Sequence, residues 1–194
     1  MTSPFSRIRA IGAAGLLAGG LLPFAATVVG ATPTCTGYVD GYLAEVHAGE
    51  VICGGPHDDH VDLIDAGGTF IGGDGYDSVG ENDGTFDGGR GGDRVLDLNA
   101  GTFWGGDGQD AVEGLNTGTF DGGDSADQVA SNMGTVYGGD GTDVVFRQDG
   151  GAFYGGAGAD ILGRMAAGTY DGGAGQDKVF RYLGGTLISV ERLP

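Results

Sequence analysis

Basic residues are scarce in this chain. Nine Lys and Arg stand against 27 Asp and Glu, which gives a formal net charge of −18 at pH 7 over 194 residues. That balance excludes nucleic acid and anionic membrane as partners, because both recruit basic patches. Two of the nine, Arg7 and Arg9, lie at the N-terminus, so the remainder is more acidic still. Acidity of this degree is self-repulsive unless cations neutralise it. Cysteine is limited to Cys35 and Cys53, which leaves room for one disulfide and no more. Catalytic signatures are missing as well. No HExxH occurs, and no GxSxG elbow accompanies the Ser and Asp residues, so the chain reads as non-enzymatic.

Apolar residues run long in one place only. Met1–Ala31 carries Arg7 and Arg9, then a Gly/Ala-rich apolar stretch from about Ala10 to Val29, and ends in Val29-Gly30-Ala31. A charged start, an apolar middle and a small-residue end describe a secretory signal peptide. A retained membrane anchor is the alternative; the glycines and the lack of a charged stop favour cleavage. The mature protein then begins near Thr32 and is extracellular. Export permits a Cys35–Cys53 disulfide, whose spacing is close to one repeat.

Glycine is what the chain has in abundance, 45 residues of it, and it is periodic. A Gly-Thr-Phe-like triplet opens at Gly68, Gly84, Gly101, Gly118, Gly134, Gly151, Gly168 and Gly185, at steps of 16 or 17 residues. A short period carried this far predicts stacked coils. Phe70, Phe86, Phe103, Phe120, Val136, Phe153, Tyr170 and Leu187 form one apolar column. Val79, Val95, Val112, Val129, Val145, Leu162 and Val179 form a second. The fold expected is all-β, a single parallel β-solenoid or β-roll of about eight coils of 16–18 residues. Residues 32–53 form an N-terminal cap, 54–184 the solenoid and 185–194 a C-terminal cap. Asn82, Asn99, Asn116 and Asn132 precede the triplets and suit a tight turn, since Asn tolerates left-handed backbone. The two 16-residue coils are short between Val79 and Gly84 and between Val129 and Gly134.

Each of the first seven triplets leads into a glycine loop closed by Asp, as in Gly72-Gly-Asp-Gly-Tyr-Asp77 and Gly105-Gly-Asp-Gly-Gln-Asp110. Glycine in such a turn exposes carbonyl oxygens at short range. The closing residues Asp77, Asp93, Asp110, Asp127, Asp143, Asp160 and Asp177 add a column of carboxylates. Oxygen donors without His or Cys suit a hard cation, and calcium before magnesium. Bare carboxylates stacked one coil apart repel, and a row of cations between them removes the conflict. The loop carbonyls expected to contribute belong to Gly73, Gly75, Gly89, Gly91, Gly106, Gly108, Gly123, Gly139, Gly141, Gly156, Gly158, Gly173 and Gly175. Asp59, in Gly54-Gly-Pro-His-Asp-Asp59, is a weaker candidate because Pro56 and His57 replace the usual residues.

With the aliphatic residue two positions on, as in Gly72-Gly-Asp-Gly-Tyr-Asp-Ser-Val-Gly80, the loop resembles the RTX or haemolysin-type calcium-binding nonapeptide GGxGxDxUx. The resemblance spans about Gly54 to Val179. It implies a parallel β-roll with Ca2+ held between stacked loops by the Asp side chains and loop carbonyls. Only one half of each coil matches, so one row of ions is implied rather than two. Arg90 and Ser125 depart from the pattern at the third and fourth loop positions.

Other readings of the surface were weighed. His57-Asp58-Asp59-His60, with His47, reads as a capping loop before it reads as a transition-metal site. Trp104, Tyr137 and Tyr154 share an outward column and suit stacking on sugars, so an adhesion or glycan-binding module is one alternative function. An accessory protein of a secreted enzyme is another.

Overall fold

A computed structural model describes residues 34–192, with side chains through Val190. The signal-peptide reading of Met1–Ala31 lies outside the described residues. The unit that holds the strands begins at Cys35. Its regular structure is entirely β.

Twenty strands alternate between two sheets of ten, so each coil contributes one strand to each sheet. Neighbouring strands pair in parallel, and Phe86↔Phe103 in one sheet and Val95↔Val112 in the other show the like-on-like register. The chain is therefore a parallel β-solenoid, as its period predicts. It is longer than the triplets alone indicate. Gly37–Tyr38 with Tyr42–Val46, and Val51–Cys53 with His60–Ile64, form two further coils before the first triplet. Residues 32–53, expected as a cap, thus supply strands to both sheets, and a Cys35–Cys53 disulfide ties the segment to the second coil. At the other end Thr186–Ile188 and Glu191–Arg192 are the last strands.

One coil explains the rest. In Thr102–Asp107 Phe103 and Gly105 face inward. This strand runs through the first three positions of the glycine loop, which the sequence pattern assigns to a turn. The chain reverses only around Gly108-Gln109-Asp110, and the second strand, Ala111–Asn116, follows at once. Val112 and Asn116 are its buried residues. Two of the 17-residue coils absorb their extra residue as a bulge, after Val95 and after Val112, visible as register shifts against the adjacent 16-residue coils.

Both apolar columns are in the interior. Phe70, Phe86, Phe103, Phe120 and Phe153 are fully buried or nearly so. Their rings follow one another at 5.4 Å, 4.7 Å and 4.9 Å from Phe70 to Phe120, and Phe153 meets Tyr170 at 4.8 Å. Coil spacing sets that distance, and it coincides with the preferred separation of aromatic pairs.

The asparagines differ from expectation. None has a positive φ, and all four are fully buried. Their amides form a ladder through the interior: Asn82 Nδ2 donates to Asn99 Oδ1 at 2.8 Å, Asn99 to Asn116 at 2.7 Å and Asn116 to Asn132 at 3.0 Å. The four Nδ2 atoms also donate to strand-opening carbonyls, those of Thr102, Thr119, Thr135 and Ala152 in turn. A primary amide has both a donor and an acceptor, so identical side chains satisfy one another when stacked. Gln148 continues the ladder and Met165 ends it.

Phe103→Ala is expected to lower the unfolding free energy by about 3–5 kcal/mol, since its ring is enclosed by Phe86 and Phe120. Tyr38→Ala, at an exposed ring, stays within about 0.5 kcal/mol. Urea denaturation of both variants tests the column; equal losses would contradict it.

Candidate functional site: a buried aspartate column

The loop aspartates occupy the corner where the first sheet hands over to the second. Asp59, Asp77, Asp93, Asp110, Asp127, Asp143, Asp160 and Asp177 are all at most 2 % exposed. Each Asp backbone N–H donates to Oδ1 of the next coil's Asp, at 2.6–2.9 Å along the series from Asp59 to Asp177. Gly41 starts the series by donating to Asp59 Oδ1 at 2.6 Å. Asp59 is therefore an equal member of the column, despite Pro56 and His57 in its loop.

The other oxygen has no partner. Oδ2 of all eight residues is buried without a hydrogen bond. It lies beneath the first glycine of its own loop: a Cβ on Gly72 would fall on Asp77 Oδ2, and one on Gly105 on Asp110 Oδ2. The same point lies 2.8 Å from the Gly88 carbonyl oxygen for Gly72, and 2.6 Å from that of Gly122 for Gly105. The first glycine is thus required by the carboxylate under it and not by backbone torsion. That role is invisible in a motif read one loop at a time.

The loop carbonyls named from the sequence divide into two sets. Gly73, Gly89, Gly106, Gly123, Gly139, Gly156 and Gly173 are register partners in the parallel ladder. Their equivalent in the preceding coil, Gly55, accepts from Asp74 N at 2.8 Å, so these carbonyls are engaged in the sheet. The carbonyls of Gly75, Gly91, Gly141 and Gly158 press on the next coil's fourth loop residue, as that of Ser125 does on Gly141; those of Gly108 and Gly175 belong to the same position. Both sets run along the stack. The carbonyls beside the free Oδ2 atoms belong instead to the first glycines. Tyr170 adds one more buried hydroxyl without a partner, facing the charges of Asp177 and Asp160.

Burial is the main force on these acids. Desolvation raises Asp77, Asp93, Asp110 and Asp143 to about 7, Asp127 to about 8 and Asp160 to about 6, against the ordinary 3.8. Neighbouring carboxylates add to the rise, and the backbone N–H offsets part of it. A rise from 3.8 to about 7 corresponds to on the order of 4 kcal/mol per group. Two or three such penalties equal the ~5–15 kcal/mol stability of an ordinary domain. Ionised together without compensation, Asp77, Asp93, Asp110, Asp127, Asp143 and Asp160 would cost more than such a fold can sustain, and a proton or a cation at Oδ2 would relieve that cost.

Hard oxygen donors without nitrogen or sulfur fit a divalent cation such as calcium. The space beside Asp127 and Asp143, walled by Phe120, Val136, Gly138 and Phe153, is too small for water. Any ion there would lose its hydration shell and rely on the protein oxygens.

The departures in the loops have local explanations. Arg90 stands between Asp74 and Asp107 at 3.6 Å and 3.8 Å, neutralising the exposed third-position acids. Ser125 takes a φ of 87°, the left-handed region where glycine is the ordinary residue. The histidines do not converge. His57 approaches Asp40, His60 lies between Ser78 and Asp62, and His47 contacts Asp65 and Glu45. Glu45, His47 and Asp65 do approach one another, as an exposed ion-paired cluster.

Two outcomes follow. A raised folded-state pKa means that the native column favours the neutral acid. The metal-free fold is then most stable below about pH 4 and loses stability as pH rises through about 6–8. Asp110→Asn keeps the Oδ1 acceptor and removes the charge, so it is expected to flatten this profile; an unchanged profile would contradict the column's role. Ser125→Gly is expected to stabilise by about 1 kcal/mol by removing side-chain strain at positive φ. Denaturation midpoints across the pH range measure both.

Comparison with protein-family models, with curated proteins and with solved structures yields no match to this chain.

Proposed function

We propose that the protein is a secreted, non-catalytic, calcium-binding β-solenoid of the RTX type, whose folded state depends on the ion. The observation that carries this reading is the row of eight buried Oδ2 atoms that lack any partner. The residues that would hold the ion are Asp59, Asp77, Asp93, Asp110, Asp127, Asp143, Asp160 and Asp177, with first-glycine carbonyls such as those of Gly88, Gly122 and Gly138 as nearby backbone oxygens. Bound calcium supplies the positive charge that lets the carboxylates stay ionised inside the fold at neutral pH. The chain's own part is to keep the acids dry, to fix each Oδ1 by a backbone N–H, and to leave each Oδ2 free.

Secretion is supported by the leader-like N-terminus and by the Cys35–Cys53 disulfide, a bond of oxidising compartments. Among the described residues no helix is long and apolar enough to cross a membrane. The glycan-binding alternative has less support. Tyr137 and Tyr154 stack on each other at 5.2 Å, so each covers one face that a sugar would need.

Extracellular calcium modules bind at about 0.1–1 mM. At a hundred times the dissociation constant, each independent site adds about 2.7 kcal/mol. Far-UV circular dichroism of the protein at pH 7.5, titrated from chelator into calcium, is expected to show a cooperative gain of β-structure that magnesium does not reproduce. A complete β-signal in chelator at that pH would overturn the proposal.

A further inference from the structure

The outer face of the second sheet carries a charge pattern that the calcium reading does not use. One column of ladder partners begins with Glu45 and Glu81 on either side of Leu63, is apolar at Leu98 and Leu115, passes Ser131, and ends basic with Arg147, Arg164 and Arg181. Three of the chain's nine Lys and Arg are thereby stacked on adjacent strands of a molecule of net charge −18. Like charges in register repel, so the column is unfavourable in an isolated molecule. Arg147 and Arg164 share Asp149 as their ion partner. Glu81 and Arg181 have no ion pair among the described residues.

The spacing is symmetrical. Counted within the sheet from the strand of Leu115, Glu81 and Arg147 each lie two strands away, and Glu45 and Arg181 each lie four strands away, on opposite sides. A column with acid and base at equal distances from an apolar centre is complementary to itself when turned by 180°. Beside it Phe146 is 54 % exposed, and Leu96 is partly exposed.

We propose that this face is the interface of a two-fold dimer, with a second copy of the chain laid antiparallel along it. The axis passes near Leu115. Arg147 then meets the partner's Glu81, Arg181 meets the partner's Glu45, and each contact occurs twice, as an isologous interface requires. The apolar centre is covered, the four outer charges Glu45, Glu81, Arg147 and Arg181 are neutralised, and Arg164, opposite the partner's Leu63, keeps its own Asp149. A linear polyanion fits less well, because the acidic half of the column repels it, as does the net charge of the whole. That net charge also opposes self-association, so the interface is modest in strength and depends on ionic strength.

The test is sedimentation equilibrium of the folded protein in calcium-containing buffer, with circular dichroism to verify each variant's fold. The wild type is expected to be dimeric at about 0.1 M salt and monomeric at about 1 M, where the screening length has fallen from about 10 Å to about 3 Å. The double variant Arg147→Glu with Arg181→Glu has acid at both ends and keeps only Arg164 as a base in the column, and Glu45→Arg with Glu81→Arg has base at both ends. Each is expected to be monomeric, although the second lowers the net negative charge. Mixed together, the two variants are expected to form a heterodimer. A wild type that stays monomeric at low salt, including one that instead binds an anionic polysaccharide, overturns the proposal. So does a dimer that both variants preserve, or folded variants that fail to pair when mixed.

Discussion

Burying a carboxylate away from water is among the least favourable things a fold does, and this fold does it in eight successive coils. The coil spacing brings each acid directly over the next, so the penalty is repeated and the neighbours' charges add to it. Everything around the column works to limit that penalty. A backbone N–H from the preceding coil bonds each Oδ1. The first loop glycine gives up a side chain so that Oδ2 has somewhere to lie. What remains is a buried Oδ2 without a partner on each acid, the feature on which the proposed cation dependence rests.

The rest of the interior follows the opposite logic. Phenylalanines, valines and asparagines are stacked like on like because each of these side chains is compatible with a copy of itself. Rings accept rings at the coil spacing, and aliphatic groups exclude water together. Amides donate to and accept from one another. Aspartate alone among the repeated interior residues is incompatible with its copy when ionised, since it offers acceptors to a neighbour that offers only acceptors. The contrast between the Asn ladder, which satisfies itself except at its first acceptor, Asn82 Oδ1, and the Asp column, which leaves one oxygen free on every member, separates a structural device from a site.

Much of this was legible from residue order. The 16–17-residue period, the two apolar columns and the identity of the acids needed only alignment of the repeat on itself. Where the reading fell short, the reason was that local propensity was applied to residues whose partners lie a coil away. Asn82 and its equivalents were given a turn's role because asparagine favours turns in isolation, whereas stacked amides make burial favourable. The glycine loop was read as a turn throughout, yet its first half lies in the ladder, because its neighbours above and below are identical strands. The loop of the coil before Gly68 was recognised in Gly54–Asp59, but residues 32–53 were read as a cap because Val51-Ile52-Cys53 keeps the strand and loses the triplet.

Periodic composition by itself determined that the chain forms a stack of parallel coils with a phenylalanine column, a valine column and an aspartate column, because those facts depend only on which residues recur and at what interval. The tertiary structure alone decided which way each recurring polar group points. It turned the asparagines inward to a ladder, engaged the second-glycine carbonyls in the sheet, and left eight Oδ2 atoms facing the first-glycine carbonyls. It also set Glu45, Glu81, Arg147 and Arg181 in one straight column. Such choices depend on the register between coils, and register is a property of pairs of strands that no single repeat contains.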